Sequence, residues 1–149
     1  MNLSQKCQYA VRAVYELAKR QGSGEPSPTS QIARSQAIPA RFLEAILSQL
    51  RQGGFVESRR GVQGGYVLTT PAGTLRVGDV IRYIDGPFHP VSCMSDGAAP
   101  HCRLQGTCVF IGLWHKARVA VDEAYSTTFE QLLQQEQTCE NGLAQTYEI

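Results

Sequence analysis

SPTSQIARSQAIPARFLEAILSQLRQGGFVESRRGVQGGYVL, residues 27–68, is the stretch that decides the fold. Ser27-Pro28 reads as an N-cap followed by proline at the first helical position, opening a short helix through Ile32 and Ala33. After Gln36-Ala37-Ile38, Pro39 starts a second helix in which Phe42, Leu43, Ile46, Leu47 and Leu50 form one apolar stripe. Its outer face is Ala40, Arg41, Glu44, Ala45, Ser48 and Arg51. Gly53-Gly54 closes it, because glycine accepts the left-handed conformation at a helix C-terminus at little steric cost. Two short strands follow, Phe55 to Ser58 and Tyr66 to Leu68, joined by a basic, glycine-rich tip. A short helix, a tight turn, a helix with a polar outer face and a basic hairpin together predict a winged helix-turn-helix.

Upstream, Cys7, Ala10, Val11, Val14, Leu17 and Ala18 recur at helical spacing between Ser4 and Gln21, and Gly22 and Gly24 end the run. Downstream, Val77, Val80, Ile81 and Ile84 mark another helix that stops at Asp85-Gly86-Pro87. Residues 86–107 are rich in Gly and Pro, without periodicity, and read as one irregular loop, a feature usually tied to function. Phe110, Leu113, Trp114, Ala117, Val121 and Ala124 then describe a long helix of about five turns whose apolar face suits pairing with a second subunit. Thr127-Thr128-Phe129-Glu130 fits a capping box that opens a short helix carrying Phe129, Leu132 and Leu133, with a fraying Gln- and Glu-rich tail from Gln134. The expected fold is mainly α: a winged helix-turn-helix unit over 1–85, a cysteine-bearing loop over 86–107, and a dimerisation helix with a short C-terminal helix over 108–149.

The length, 149 residues, suits one domain, and the net charge of +1 gives no hint of a polyanionic partner. That neutrality hides a division. Residues 1–70 hold nine basic and four acidic side chains, a net of +5, and the remainder five basic and nine acidic, a net of −4. Such asymmetry points to an anionic partner for the first half. No signal peptide is readable at the N-terminus, and the most apolar uncharged run, Cys108 to Trp114, is far below the roughly 18 residues of a membrane span, so a cytoplasmic protein is expected. No Ser-His-Asp set, paired carboxylates or phosphate-cradling glycine loop marks an enzyme.

In the winged geometry the second helix enters the DNA major groove and the hairpin reaches the adjacent backbone or minor groove. Arg41, Arg59 and Arg60 are the candidate contacts, since arginine binds guanine bidentately and suits a narrow minor groove; Glu44 could accept from cytosine N4. Thr29, Ser30, Pro39 and Ala40 at the helix starts, with Gly61, Gln63, Gly64 and Gly65 in the wing, complete the candidate surface. The glycines there are expected to let the backbone approach phosphates closely.

Five cysteines, an odd number, argue against a disulfide framework. Cys93, Cys102 and Cys108 are separated by eight and five residues, a spacing open to an iron-sulfur cluster, zinc or thiol redox chemistry. Cys7 reads as a buried small residue on helix one, and Cys139 as incidental.

The segments Leu3 to Ala13, Phe42 to Val56, Arg60 to Tyr66 and Val77 to Ile81 resemble the bacterial winged-helix regulators that include IscR, NsrR and RirA, over roughly residues 1–135. The resemblance implies a homodimeric transcription factor, often a repressor, that binds a palindrome-like DNA operator and dimerises through the helix from Cys108 to Tyr125. It also implies a cluster, two-iron or four-iron, held by Cys93, Cys102 and Cys108, and a sensor of nitric oxide, oxygen or iron supply. The fourth ligand departs from the family: Ile111 stands where some members have histidine, and Gln8 where others have an acidic residue. Cys7, Gln8, His101, His89 and an exogenous thiol or water remain as candidates, which suits a labile site.

Overall fold

The computed structural model describes residues 2–61, 64–95, 102–104 and 106–146, the last seven as backbone only. Among the described residues, six helices and one hairpin follow in the order α1 (Gln5–Arg20), α2 (Thr29–Ser35), α3 (Ala40–Gln52), β1 (Val56–Arg59), β2 (Gly65–Leu68), α4 (Val77–Asp85), α5 (Ile111–Tyr125) and α6 (Phe129–Thr146), with short 3₁₀ turns at Gln21–Ser23 and Ser92–Met94. The mainly helical, winged architecture is the expected one. Among the described residues no helix is long and apolar enough to cross a membrane.

The core forms where three helices meet. Cys7, Ala10, Ala13, Val14, Leu17 and Ala18 of α1 are buried with Leu43, Ile46, Leu47 and Leu50 of α3 and Val80 and Ile81 of α4. The small side chains at 10, 13 and 18 leave room for leucines from α3. Val56 and Leu68 seat the hairpin on this core, and Phe129, fully buried, brings in the start of α6. Ser4 caps α1, its Oγ accepting from the Cys7 amide at 3.0 Å, while its own N–H and hydroxyl donate to Asp85 at 2.8 and 2.6 Å. The start of α1 is thereby tied to the last residue of α4.

Several local expectations are corrected. Ser27 does not cap α2. Pro28 occupies the N-cap position, and Ser27 exchanges two backbone hydrogen bonds with Tyr66, both 2.9 Å, so it lies beside β2 as a third, one-residue strand. A non-local ladder has overridden the local capping preference of serine. Phe42 does not belong to the buried stripe: it is 45 % exposed. The long helix begins at Ile111 rather than Cys108, and none of its side chains is buried. Its expected single apolar face is split, with Trp114, Ala117 and Val121 half-buried and Phe110, Leu113 and Ala124 exposed.

The C-terminal helix is neither short nor frayed from Gln134. Its capping box uses Thr128 and Gln131, one residue later than expected: the Gln131 side chain accepts from the Thr128 amide at 2.9 Å, and the Gln131 amide donates to the Thr128 hydroxyl at 3.2 Å. Helix α6 runs to Thr146 because tertiary contacts support it. Leu132 and Leu133 pack on the core, and Glu136 pairs with Lys19 of α1 at 2.9 Å.

Candidate functional site

With Leu43, Ile46, Leu47 and Leu50 turned inward, α3 presents Ala40, Arg41, Glu44, Ala45 and Arg51 away from the core, as expected, while Ser48 of the same face is half-buried. The Arg41 guanidinium lies 4.7 Å over the Phe42 ring, which in turn packs against Tyr9 of α1 at 6.5 Å. An exposed cation–π contact of this kind stabilises by about 0.5–1 kcal/mol, enough to bias where the arginine points. The exposed phenylalanine is thus a support for Arg41. Ser30, Pro39 and Ala40 are exposed and Thr29 half-buried, at the starts of α2 and α3.

The chain enters α3 through a strained turn. Ala37 has φ +48°, the one non-glycine residue with positive φ among the described residues. Left-handed backbone costs an alanine about 1 kcal/mol, so neighbours must hold it. The Ile38 amide donates to the Ala33 carbonyl at 2.9 Å, and the Arg12 guanidinium donates to the Gln36 carbonyl.

In the wing, β1 and β2 are antiparallel in the register Val56 with Leu68 to Arg59 with Gly65. A Cβ on Gly65 would lie 2.3 Å from the Ser27 carbonyl oxygen, and one on Gly64 2.7 Å from the Arg59 carbonyl oxygen. The space beside these two glycines is filled by the protein's own backbone, which accounts for them without contact to phosphate. Gly61, with φ +127° and open space around it, forms the turn. Arg59 makes a loose exposed pair with Glu57 at 3.4 Å, whereas Arg60 is exposed with no partner among the described residues. Gln63 lies outside the described residues.

The cysteines divide by environment. Cys7 is fully buried, and burial, with the charge of and hydrogen bond to Asp85, pushes its thiol up to about 12. It stays protonated at neutral pH, a poor state for a metal ligand. Asp85 moves the opposite way: burial opposes the change, but hydrogen bonds from Ser4 and the Cys7 thiol hold its carboxyl below the ordinary range. Gln8 is exposed and its amide donates to the Leu3 carbonyl at 3.0 Å. Cys93 is exposed in the Ser92–Met94 turn, Cys102 and Cys108 are half-buried, and Cys139 is exposed on α6; all are free thiols. Among the described residues, no three His, Cys, Asp or Glu side chains gather closely enough to hold a metal ion. His101 lies outside them. His89 is half-buried, its Nδ1 shielded without a hydrogen-bond partner, and lines a cavity of about 520 Å³ with Leu3, Asp85, Phe88 and Tyr125. As donors, the three loop thiols suit an iron-sulfur cluster: each is free, none is locked in the core, and all precede α5.

Sequence reasoning missed the polar face of α1, where Arg12, Glu16 and Arg20 stand four residues apart. That spacing was the available signal.

Residues 3–135 match the Rrf2 family model, described as "Iron-dependent Transcriptional regulator". The chain is 38 % identical over 133 residues to the HTH-type transcriptional regulator CymR of Bacillus subtilis (strain 168), covering 89 % of each. It is 37 % identical over 114 residues to the HTH-type transcriptional regulator IscR of Cronobacter sakazakii, covering 76 % of this chain and 68 % of that protein. The solved structure of CymR (YrzC), the global cysteine regulator of B. subtilis, superposes with a TM-score of 0.71 at 34 % identity, covering 89 % of this chain and 95 % of the other. On the fold, the basic wing and these matches, the chain belongs to the Rrf2 family of transcriptional regulators.

Proposed function

We propose that this chain is a homodimeric repressor that binds a palindrome-like DNA operator and senses nitric oxide, redox state or iron supply through an iron-sulfur cluster held by Cys93, Cys102 and Cys108. The observation that carries the reading is the set of three free thiols in the segment leading into α5, on a chain whose opening half is a basic winged helix. The family's description as iron-dependent supports it. When bound, the cluster supplies a group whose oxidation or loss alters the constraint on that segment.

The chain's own residues do the rest. Arg41 and Glu44 read bases from α3, while Arg59 and Arg60 hold the wing against the sugar-phosphate backbone. The segment from Gly86 to Phe110 joins α4, in the reader, to α5, in the dimer interface. Its shape therefore bears on how two readers are spaced, and coupling on the scale of about 1–3 kcal/mol would switch binding.

Protein purified without air is expected to be coloured, with visible charge-transfer absorption and stoichiometric iron and sulfide. The triple variant Cys93→Ala/Cys102→Ala/Cys108→Ala should be colourless and insensitive to nitric oxide or oxygen in operator binding. A colourless wild type, free of iron, overturns the cluster reading.

A second reading has its own support, because the three thiols are not gathered and the chain resembles CymR, the global cysteine regulator of B. subtilis. It is a regulator of the same fold that senses by thiol oxidation, zinc or a small effector. The same experiment separates the two, since reversible, colourless oxidation belongs to this reading alone.

The wing carries a separate prediction. Arg60→Ala should weaken binding several-fold and lower the slope of log K against log salt by about one per protomer, the signature of a lost phosphate contact. Wild-type affinity across a salt series would remove Arg60 from the interface.

A further inference from the structure

Helix α2 is too short to hold itself. It has seven residues, no side-chain cap at Pro28, and a single buried residue, Ile32. Isolated helices shorter than about 12 residues are marginal in water, so its placement must come from outside. One face of α1 supplies it, because Arg12, Glu16 and Arg20 are spaced at i, i+4 and i+8 and so lie in a row. The Arg12 guanidinium donates to the Gln36 carbonyl. One Glu16 oxygen accepts from the Gln36 side-chain amide at 3.0 Å, the other from Arg20 Nε at 2.9 Å. Both terminal nitrogens of Arg20 donate at 2.9 Å to the Gln31 side-chain oxygen, in the amide orientation that satisfies both groups. The row thus grips α2 in its middle, at Gln31, and at its C-cap, Gln36.

Glu16 is the centre of this row and is only 4 % exposed, the one buried charged side chain among the described residues. Burial works to protonate it, but hydrogen bonds from Gln36, Arg20 and Ser35 and the Arg20 charge prevail, and its carboxyl stays below the ordinary range. An apolar residue could fill such a site at no desolvation cost. What an apolar residue cannot supply is direction. Gln36 immediately precedes the left-handed Ala37, and α3 starts at Ala40. The apolar contacts of α3 with α1 resist separation but tolerate rotation, whereas two hydrogen bonds on the Gln36 side chain and carbonyl fix the angle at which the chain enters α3.

We infer that Glu16, through Gln36, is a positioning residue that sets the orientation of α3 against α2 and thereby the discrimination of cognate from unrelated DNA. It touches no DNA itself. The inference rests on the reading of α3 as the base-reading helix.

The test uses the full chain and two duplexes: one recovered by the wild type from a random DNA pool, and a shuffled duplex of equal length and composition. In Gln36→Glu two carboxylates face each other and neither can donate, whereas Glu16→Gln alone would be absorbed by a flip of the Gln36 amide. Affinity of Gln36→Glu for the recovered duplex should fall about tenfold, with affinity for the shuffled duplex and its salt slope unchanged. The swap Glu16→Gln/Gln36→Glu re-forms both bonds: the oxygen of the introduced amide accepts from Arg20, and its NH₂ donates to the introduced carboxylate. It should restore discrimination to within about threefold. If Gln36→Glu does not fold, Gln36→Ala, which leaves Glu16 paired with Arg20, carries the same comparison. Equal loss on both duplexes, tracking a lower melting temperature, assigns Glu16 to stability alone and overturns the inference. So does unchanged discrimination, or a loss that the swap leaves in place. A wild type that recovers no sequence overturns the reading of α3 instead, and is distinguishable from all of these.

Discussion

Phe129→Ala is expected to destabilise the folded chain by about 3–5 kcal/mol, the range for deleting a fully buried aromatic side chain. Phe129 is 0 % exposed and heads the buried side chains by size. Its backbone is also fixed, the amide donating to the Leu75 carbonyl at 3.1 Å, next to the Val77 amide that donates to the Thr127 carbonyl at 2.9 Å. These two backbone bonds hold the ring where it is, so neighbours can collapse only partly into the space it leaves. The measurement is a urea or thermal midpoint for wild type and variant at one fixed protomer concentration, since association would otherwise shift the midpoint by mass action. A loss below about 1 kcal/mol would mean that α6 is an appendage. The structure makes it part of the winged domain's core, because α6 returns to α1 and packs there.

The second large effect concerns assembly. Leu113→Glu is expected to convert a dimer to monomers in sedimentation, and to lower affinity for a two-half-site duplex by about two orders of magnitude or more. Helix α5 buries no side chain within its own chain, yet Leu113 is 56 % and Val119 60 % exposed, beside Phe110 at 53 % and Ile111 at 44 %. Exposed apolar surface of that kind marks an interaction site. A carboxylate placed at Leu113 would have to be desolvated on pairing. Two readers on one dimer bind the second half-site as an intramolecular event, and separating them loses a factor of roughly 10² to 10⁴ without touching a DNA contact. A variant that sediments as a dimer and binds normally would place the interface elsewhere.

The legible part of the chain was the part whose signals are local. The stripe of α3 apart from Phe42, the Gly53-Gly54 stop, the stripe of α4 and the turn residues of the wing are readable because helical spacing and glycine chemistry act within a few residues. The place of Ser27 is not legible in sequence because its partner, Tyr66, is distant and pairs with it only once the wing is folded. The C-terminal helix was shortened for a similar reason: Gln134 to Glu140 is polar in sequence, and nothing local shows that Lys19 and the core will hold it. In sequence Glu16 is one acidic residue among four in the basic half, since burial of a carboxylate is decided by what α2 brings to it. The cysteine segment has no periodicity at all, so its residues could be named but not arranged.

The bonds between Ser4 and Asp85 close a loop in the chain's mechanics. Asp85 is both the last residue of α4 and the residue from which the cysteine segment departs, and its carboxylate is held by the cap of α1. A pull on that segment at its origin is opposed by those bonds to α1 as well as by the packing of α4 itself. Helix α1 is a rod of 16 residues, about 24 Å long, with Tyr9 against Phe42 and Arg12 and Glu16 on Gln36. The same rod therefore has one end at the root of the cysteine segment and its shaft against the entry to α3, so force and displacement at one have a stiff route to the other.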